Sequence, residues 1–313
     1  MTNSRIDHAF TGEMRGAASD PTFAGAHSFM RRRYTKNLAG ADVVVWGVPY
    51  DLAVTNRPGT RFGPAAIRRA SAIFDGDPQY PSGIDPFEHL SVIDYGDCAF
   101  PKGDFAAHPG AIEAEATRIL DSGAHLMTMG GDHFITLPLL RAHAKKHGPM
   151  GLLQFDAHQD MWESGPDGIS HGSFLREAIR EGLVDPARSI QIGIRTISPA
   201  DGGVRVIGAY EAAEMGVAAL AEAIRARLAG GPSYLTFDID GLDPAFAPGT
   251  GTPVAGGMSS SEALRLLWAL RDVRFCGMDV VEVSPPYDHA EITAIAGATI
   301  MQHHLQALAL RRA

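Results

Sequence analysis

The segment LLQFDAHQD (Leu152–Asp160) decides the fold class. It begins with an apolar run typical of a buried β-strand, and a group of polar side chains follows this run directly. MTMGGDH (Met127–His133) and YLTFDID (Tyr234–Asp240) have the same form. In open sheets of parallel strands, ligands bind beyond the carboxyl ends of the strands. The three segments therefore predict one sheet edge at which chemically active groups gather.

Other apolar runs alternate with amphipathic stretches along most of the chain. This alternation predicts an α/β fold with a mostly parallel sheet that is covered by helices on both faces. The predicted strands are Asp42–Gly47, Leu90–Ile93, His125–Met129, Gly151–Phe155, Ser189–Ile194, Val204–Ile207, Ser233–Phe237 and Phe275–Val283.

The sequence has no internal repeat and no change of composition that would mark a domain boundary. We therefore expect a single domain over residues 1–313. Residues 1–40 are polar and weakly periodic, and we interpret them as an N-terminal arm that packs on the body or on a neighbouring subunit. The run Arg31–Arg33 is interpreted as a solvated or subunit-facing group of charges.

Potential metal ligands are concentrated in the three opening segments: His133, Asp156, His158, Asp160, Asp238 and Asp240. Side chains two positions apart in an extended segment point the same way, so the ligands within a segment can converge. One such segment alone fits a strand-end turn with capping carboxylates, but three together favour a metal site. Carboxylates and imidazoles without thiolates suit Mn²⁺. Bridging aspartates favour a pair of ions, which lowers the pKa of a shared water.

Two further residues are candidates for proton transfer and for substrate binding. His171 follows Asp160 on a connecting loop, and its ordinary pKa suits proton transfer near pH 7. Glu282 lies at the end of the last apolar strand, where a carboxylate can bind a planar cation through paired hydrogen bonds. A surface-loop histidine and a strand-capping glutamate are the alternative interpretations. Asp279 is interpreted as a structural partner on the strand.

Charge and composition restrict the partners. The net charge of -9 is unfavourable for nucleic acid and favours a cationic small molecule. Cys98 and Cys276 do not indicate a disulfide framework. We find neither a signal peptide nor an apolar stretch of membrane-spanning length, so a cytoplasmic protein without membrane partners is expected.

Together these residues resemble the ureohydrolases, the arginase and agmatinase family. The matching motifs are GGDH (Gly130–His133), DAHQD (Asp156–Asp160), DIDGLDPAFAPGTGTP (Asp238–Pro253), VVEVSPPYD (Val280–Asp288) and the His171-Gly172 pair. Two longer stretches, Val48–Arg68 and Gly130–Gly148, are similar to bacterial agmatinases in particular. The resemblance covers residues 41 to 310.

The resemblance implies two Mn²⁺ ions per subunit. One ion would be bound by His133, Asp156, Asp160 and Asp238, and the other by Asp156, His158, Asp238 and Asp240. Asp160 would also orient the nucleophilic hydroxide, His171 would carry a proton to the leaving amine, and Glu282 would bind the guanidinium group. The implied fold is a three-layer αβα sandwich around an eight-stranded sheet, and the implied assembly is a homotrimer or homohexamer.

The loop after Asp160 is expected to determine the substrate specificity. It contains Glu163 and Asp167 and no Lys or Arg, which favours a distal ammonium group, as in agmatine, over a distal carboxylate, as in guanidinobutyrate. Trp162 can line the channel, although a packed loop aromatic is the alternative. Hydrolysis of agmatine to urea and putrescine is the predicted function. The alternatives are a guanidinobutyrase or other guanidino-acid hydrolase, a single-zinc deacetylase and a non-catalytic homologue.

Overall fold

A computed structural model of the chain describes residues 7–16, 18, 21–74, 76–166 and 168–313. Within these ranges one sheet contains all the named strands: β1 (Arg33–Tyr34), β2 (Val43–Val48), β3 (Val92–Asp97), β4 (His125–Gly130), β5 (Gly151–Phe155), β6 (Ile190–Ile194), β7 (Arg205–Gly208), β8 (Ser233–Asp238) and β9 (Phe275–Val281). The α-helices are α1 (His8–Thr11), α2 (Gly63–Ala70), α3 (Pro86–His89), α4 (His108–Asp121), α5 (Thr136–His147), α6 (Phe174–Arg180), α7 (Ala209–Leu228), α8 (Ser260–Ala269) and α9 (Ile292–Leu310).

The strand order is β1-β3-β2-β4-β9-β8-β5-β6-β7, and all neighbouring strands are parallel. The predicted α/β class is therefore confirmed, with a sheet that is parallel throughout the described chain. Strands β4, β9, β8 and β5 are adjacent, so their carboxyl ends meet at the centre of one sheet edge. These are the strands that precede the polar segments.

Helices cover the sheet on both faces and bury two apolar layers, which gives the predicted three-layer sandwich. Leu153 and Phe155 of β5 pack in the layer that also holds side chains from α2, α7, α8 and α9. Leu152, which precedes Leu153 and faces the other side of the sheet, packs in the layer formed with α4, α5 and α6. Strands covered on both sides bury every residue, which is why they read as continuous apolar runs and not as alternating ones.

Strand β1 was not among the eight predicted strands. It has only two residues, both exposed, and it pairs in parallel with β3 at the edge of the sheet. A strand this short at a sheet edge has no apolar period for the sequence to display.

The interpretation of Arg31 and Arg32 as solvated charges was wrong. Both side chains are fully buried in this chain, whereas Arg33 is exposed. The Arg31 guanidinium donates to the Pro21 carbonyl at 2.7 Å, and the Arg32 guanidinium carbon lies 3.7 Å from the centre of the Phe87 ring. Part of the arm thus packs on the body of its own subunit. None of the described helices has the length and apolarity needed to cross a membrane.

Candidate metal centre

The turn after β4 brings His133 to the sheet edge. Gly131 passes so close to the end of β2 that a Cβ atom there would lie 2.4 Å from the Tyr50 carbonyl oxygen, which only glycine avoids. The Asp132 carboxylate accepts hydrogen bonds from the Phe134 amide at 3.1 Å and from the Ala53 amide at 2.9 Å. Asp132 therefore holds both the His133 turn and the neighbouring loop.

The His133 imidazole faces three carboxylates. Its Nδ1 atom lies 3.1 Å from Asp156 Oδ2, 2.9 Å from Asp160 Oδ2 and 3.1 Å from Asp238 Oδ2. The angles at these short distances do not meet hydrogen-bond geometry, so this buried nitrogen has no hydrogen-bond partner within the described chain. His133, Asp156 and Asp238 can together hold one metal ion, with Asp160 beside them.

A second group of potential ligands lies next to the first. His158 Nδ1 is 3.1 Å from Asp240 Oδ2 and 3.4 Å from Asp156 Oδ1. Asp156, His158 and Asp240 can hold another ion. Asp156 belongs to both groups, one carboxylate oxygen facing each, so two ions would be bridged.

The electrostatics of this centre also favour a cation. Burial and the charge of Asp156 raise the pKa of Asp160 to about 6, and burial, Asp240 and Asp156 raise the pKa of Asp238 well above its usual value. Burial lowers the pKa of His133, but the surrounding carboxylates outweigh it and raise that pKa well above its usual value. The raised pKa values of Asp160 and Asp238 express burial and repulsion among carboxylates, and the raised pKa of His133 expresses the attraction of these carboxylates for a positive charge. A divalent ion satisfies both. The donor set and the unpartnered nitrogen therefore fit the metal centre that the motifs imply.

His171 and Glu282 form a buried pair behind this centre. Glu282 Oε1 lies 2.8 Å from His171 Nδ1 and accepts from the His133 amide at 2.9 Å. Glu282 Oε2 is buried and has no hydrogen-bond partner among the residues that the structure describes. The other ring nitrogen of His171 contacts the Thr55 hydroxyl at 2.7 Å. Burial lowers the pKa of His171, but the Glu282 charge outweighs it and raises that pKa to about 9.

A cavity of about 270 Å³ opens onto the centre. Its lining consists of Thr55, His158, Asp160, Trp162, Ser170, His171, Gly172, Asp238 and Thr252. Thr55, Ser170 and Thr252 were not among the predicted site residues. Thr55 and Thr252 lie within the matching segments of the resemblance, so their position in those motifs was the available signal. A larger cavity of about 890 Å³ lies elsewhere, beside Trp268 and His303, and is not lined by these ligand groups.

The predicted substrate loop only partly reaches this cavity. Trp162 lines it, but Glu163 does not. The Glu163 side chain is 77% exposed and accepts from the Arg176 guanidinium at 2.8 Å, so it is turned away and neutralised. The predicted contact of Glu163 with a substrate therefore has no support in this structure. Asp167 lies outside the described residues.

Known proteins are similar to this chain in sequence and in fold over nearly its whole length. A profile of the arginase family matches residues 41–306. The agmatinase of Chromobacterium violaceum is 50% identical over 287 residues, which are 91% of this chain and 89% of that protein. The crystal structure of a hypothetical agmatinase from Burkholderia thailandensis is similar with a TM-score of 0.95 and 49% identity, covering 97% of this chain and 98% of that one.

A more distant structure has the same fold. Proclavaminate amidino hydrolase from Streptomyces clavuligerus is similar with a TM-score of 0.88 and 39% identity, covering 93% of this chain and 99% of that one. The resemblance drawn from the motifs is thus confirmed over the whole sheet and its helices. The chain belongs to the arginase family and is an enzyme of the ureohydrolase type.

Proposed function

We propose that this enzyme hydrolyses agmatine to urea and putrescine with two bound Mn²⁺ ions. The observation that carries the proposal is the pair of ligand groups that share Asp156 beside the cavity. A pair of ions suits an unreactive electrophile such as guanidinium, which is stabilised by resonance. The donors are oxygens and imidazole nitrogens, the set that manganese accepts.

The proposed ligands divide between the ions as the family motifs imply. One ion would be bound by His133, Asp156, Asp160 and Asp238, and the other by Asp156, His158, Asp238 and Asp240. When bound, such a pair lowers the pKa of a water molecule and makes it nucleophilic at neutral pH. Asp160 orients that water toward the guanidinium carbon.

Glu282 and His171 complete the proposed mechanism. Glu282 does not line the cavity but lies directly behind His171, which does. Its buried Oε2 has no hydrogen-bond partner among the described residues, and in the proposed mechanism this oxygen accepts N–H bonds from the guanidinium. This contact positions the carbon for attack. A proton then passes from His171 to the leaving amine as the C–N bond breaks, which releases urea and the diamine.

The charge of the cavity supports agmatine over a guanidino acid. No Lys or Arg is present in the lining that the structure describes, whereas Asp160 and Asp238 are. A distal carboxylate would find no cationic partner there, while a distal ammonium meets a negative field. The charge of this lining, and not that of Glu163, therefore favours a distal ammonium group. Trp162 lines the path beside the methylene chain.

The alternative functions are less well supported. A single-zinc deacetylase needs one ligand group, and two overlapping groups are present here. A non-catalytic homologue would be expected to lose ligands, and all six proposed positions carry ligand side chains. Assembly as a homotrimer or homohexamer and a cytoplasmic location are further parts of the proposal, and sedimentation of the purified enzyme tests the assembly.

Urea release from a panel of guanidines tests the function. The enzyme is stripped of metal, reloaded with Mn²⁺ and assayed with agmatine, guanidinobutyrate, guanidinopropionate and arginine. We expect the highest kcat/KM with agmatine and no urea from the metal-free protein. A higher kcat/KM with a carboxylate-bearing guanidine would contradict the proposal that agmatine is the substrate. Retention of a single zinc ion per chain, with no urea from any guanidine, would favour the deacetylase alternative.

A further inference from the structure

A buried carboxylate that takes no part in the proposed mechanism lies behind the metal centre. Asp279 of β9 is completely buried. Three hydroxyl groups donate to it: Thr236 to Oδ1 at 2.5 Å, Thr136 to Oδ2 at 3.0 Å and Tyr234 to Oδ2 at 2.9 Å. Two donors from β8 and one from α5 hold this carboxylate in one orientation, which is more than a structural contact on the strand requires.

Thr236 connects this carboxylate to the nearest histidine. Its hydroxyl oxygen lies 2.8 Å from His133 Nε2. A threonine hydroxyl has one proton to donate, and here that proton is directed at Asp279. The oxygen can then only accept from His133, so the ring proton of His133 resides on Nε2.

In the neutral ring that a metal ion requires, the other ring nitrogen is thereby left with a lone pair. In a neutral imidazole one nitrogen carries the proton and the other is free to accept. The free atom is Nδ1, the buried atom that faces Asp156, Asp160 and Asp238 without a hydrogen bond. The His133 ring also packs on Phe174, with ring centres 4.3 Å apart, which restrains its plane.

We infer that Asp279 and Thr236 are positioning residues that hold His133 as the Nε2–H tautomer and so create the ligand atom for the ion beside His133. The inference rests on the proposed metal centre and adds residues to it. Among the described residues, no hydrogen bond joins His158 or Asp240 to the Asp279–Thr236 relay, so the ion beside His158 depends on this relay less than the ion beside His133 does. Outer partners of this kind typically change metal affinity by about 10- to 100-fold.

Replacement of the bridging hydroxyl tests the inference. Thr236→Val keeps the side-chain shape and removes the acceptor. We expect one of the two Mn²⁺ ions to bind about 10- to 100-fold more weakly and the other to bind as before. Equilibrium dialysis of the whole protein against graded Mn²⁺, with the metal content measured per chain, provides the readout independently of activity.

Thr128→Val is the matched control. Thr128 is a completely buried threonine on β4, in register with Asp279, and its hydroxyl has no hydrogen-bond partner within the described part of the chain. The same chemical change there should leave both ions unaffected. Thr236→Ser, which keeps the hydroxyl, should restore the weakened site. If Thr236→Val does not fold, Thr236→Cys, with its weaker acceptor, should show a smaller loss at the same single site.

The results separate this inference from the proposed function. Fewer than two ions in the unaltered protein would overturn the proposed metal centre itself. Two ions in the unaltered protein and unchanged affinities in Thr236→Val, or in Thr236→Cys where that replaces it, would overturn only the relay. Equal loss of both ions, or the same loss in Thr128→Val, would show a general packing effect and would also overturn it.

Discussion

At the scale of single residues, two of the proposed catalytic groups have strained backbones. Asp160 has a φ of 51° and Glu282 a φ of 64°, in the left-handed region that side chains other than glycine seldom adopt. Such conformations cost about 1–3 kcal/mol each and persist where the surrounding structure holds them. Motif matching indicated both residues from the sequence. It did not indicate the strain, because φ depends on the contacts that surround each turn.

The pH dependence of activity should reflect the ionisation of His171, which is paired with Glu282. Glu282 raises the pKa of His171 to about 9, so the imidazolium proton donor is present at pH 7 and is lost as the pH rises. We expect kcat/KM to fall through a basic limb at or below about pH 9, since bound cations move this pKa downward. His171→Asn should lower kcat by about 10²- to 10⁴-fold and remove the limb.

The control for His171→Asn is its metal content, because the residue is not a proposed ligand and two ions should remain bound. The free energy of unfolding should depend on pH in the same direction as the activity does. The raised pKa contributes stability that is fully present below the unfolded value of 6.5 and is lost as the pH rises through about 9. An unchanged basic limb in the variant would remove His171 from the proton transfer.

At the scale of elements, the site is a property of four adjacent strand ends. β4, β9, β8 and β5 are neighbours in the sheet, and their last residues and the segments that follow carry His133, Glu282, the Asp238–Asp240 pair and the Asp156–Asp160 cluster. Strand ends were predictable from apolar runs followed by polar clusters. The adjacency of these four strands was not, because strand order depends on how the crossover helices pack.

The glycine turn after β4 should be intolerant of a side chain. Gly131→Ala would place a methyl group 2.4 Å from a backbone oxygen of Tyr50, which cannot rotate away. We expect the free energy of unfolding to fall by about 1–3 kcal/mol, with weaker Mn²⁺ binding because the turn carries His133. Urea denaturation and dialysis measure the two effects.

Gly110→Ala in α4 is the control for that substitution. An added Cβ at Gly110 would meet no atom within 4 Å in the described structure, and alanine favours a helix by up to about 1 kcal/mol. This variant should be as stable as the original or more so. Equal tolerance at Gly131 would mean that the turn can shift without cost.

At the scale of the whole molecule, the metal centre concentrates negative charge inside a protein that is already acidic. Four carboxylates lie within the centre, and all are buried. The net charge of -9 attracts cations from solution but does not locate their site. Folding brings the carboxylates together and makes ion binding and fold stability interdependent.

Removal of metal should therefore lower the stability of the entire domain. Each site saturated at 100 times its Kd adds about 2.7 kcal/mol to the free energy of unfolding. Chelation should lower Tm, and added Mn²⁺ should restore it. Asp238→Asn should lose this Mn²⁺-dependent gain, while the metal-free variant is no less stable than the metal-free original, because one repelling charge is gone. Thermal unfolding with and without Mn²⁺ measures both effects. A variant that kept the full Mn²⁺-dependent rise in Tm would contradict the prediction.

The sequence by itself determined the α/β class, eight of the strands, the six potential ligands and the family, because apolar periodicity and short motifs are local properties of the chain. Only the tertiary structure decided that Glu163 turns toward Arg176 and that Asp279 reaches His133 through Thr236. Each of these depends on distances between residues that are remote along the chain, and packing of the sheet and its helices sets those distances.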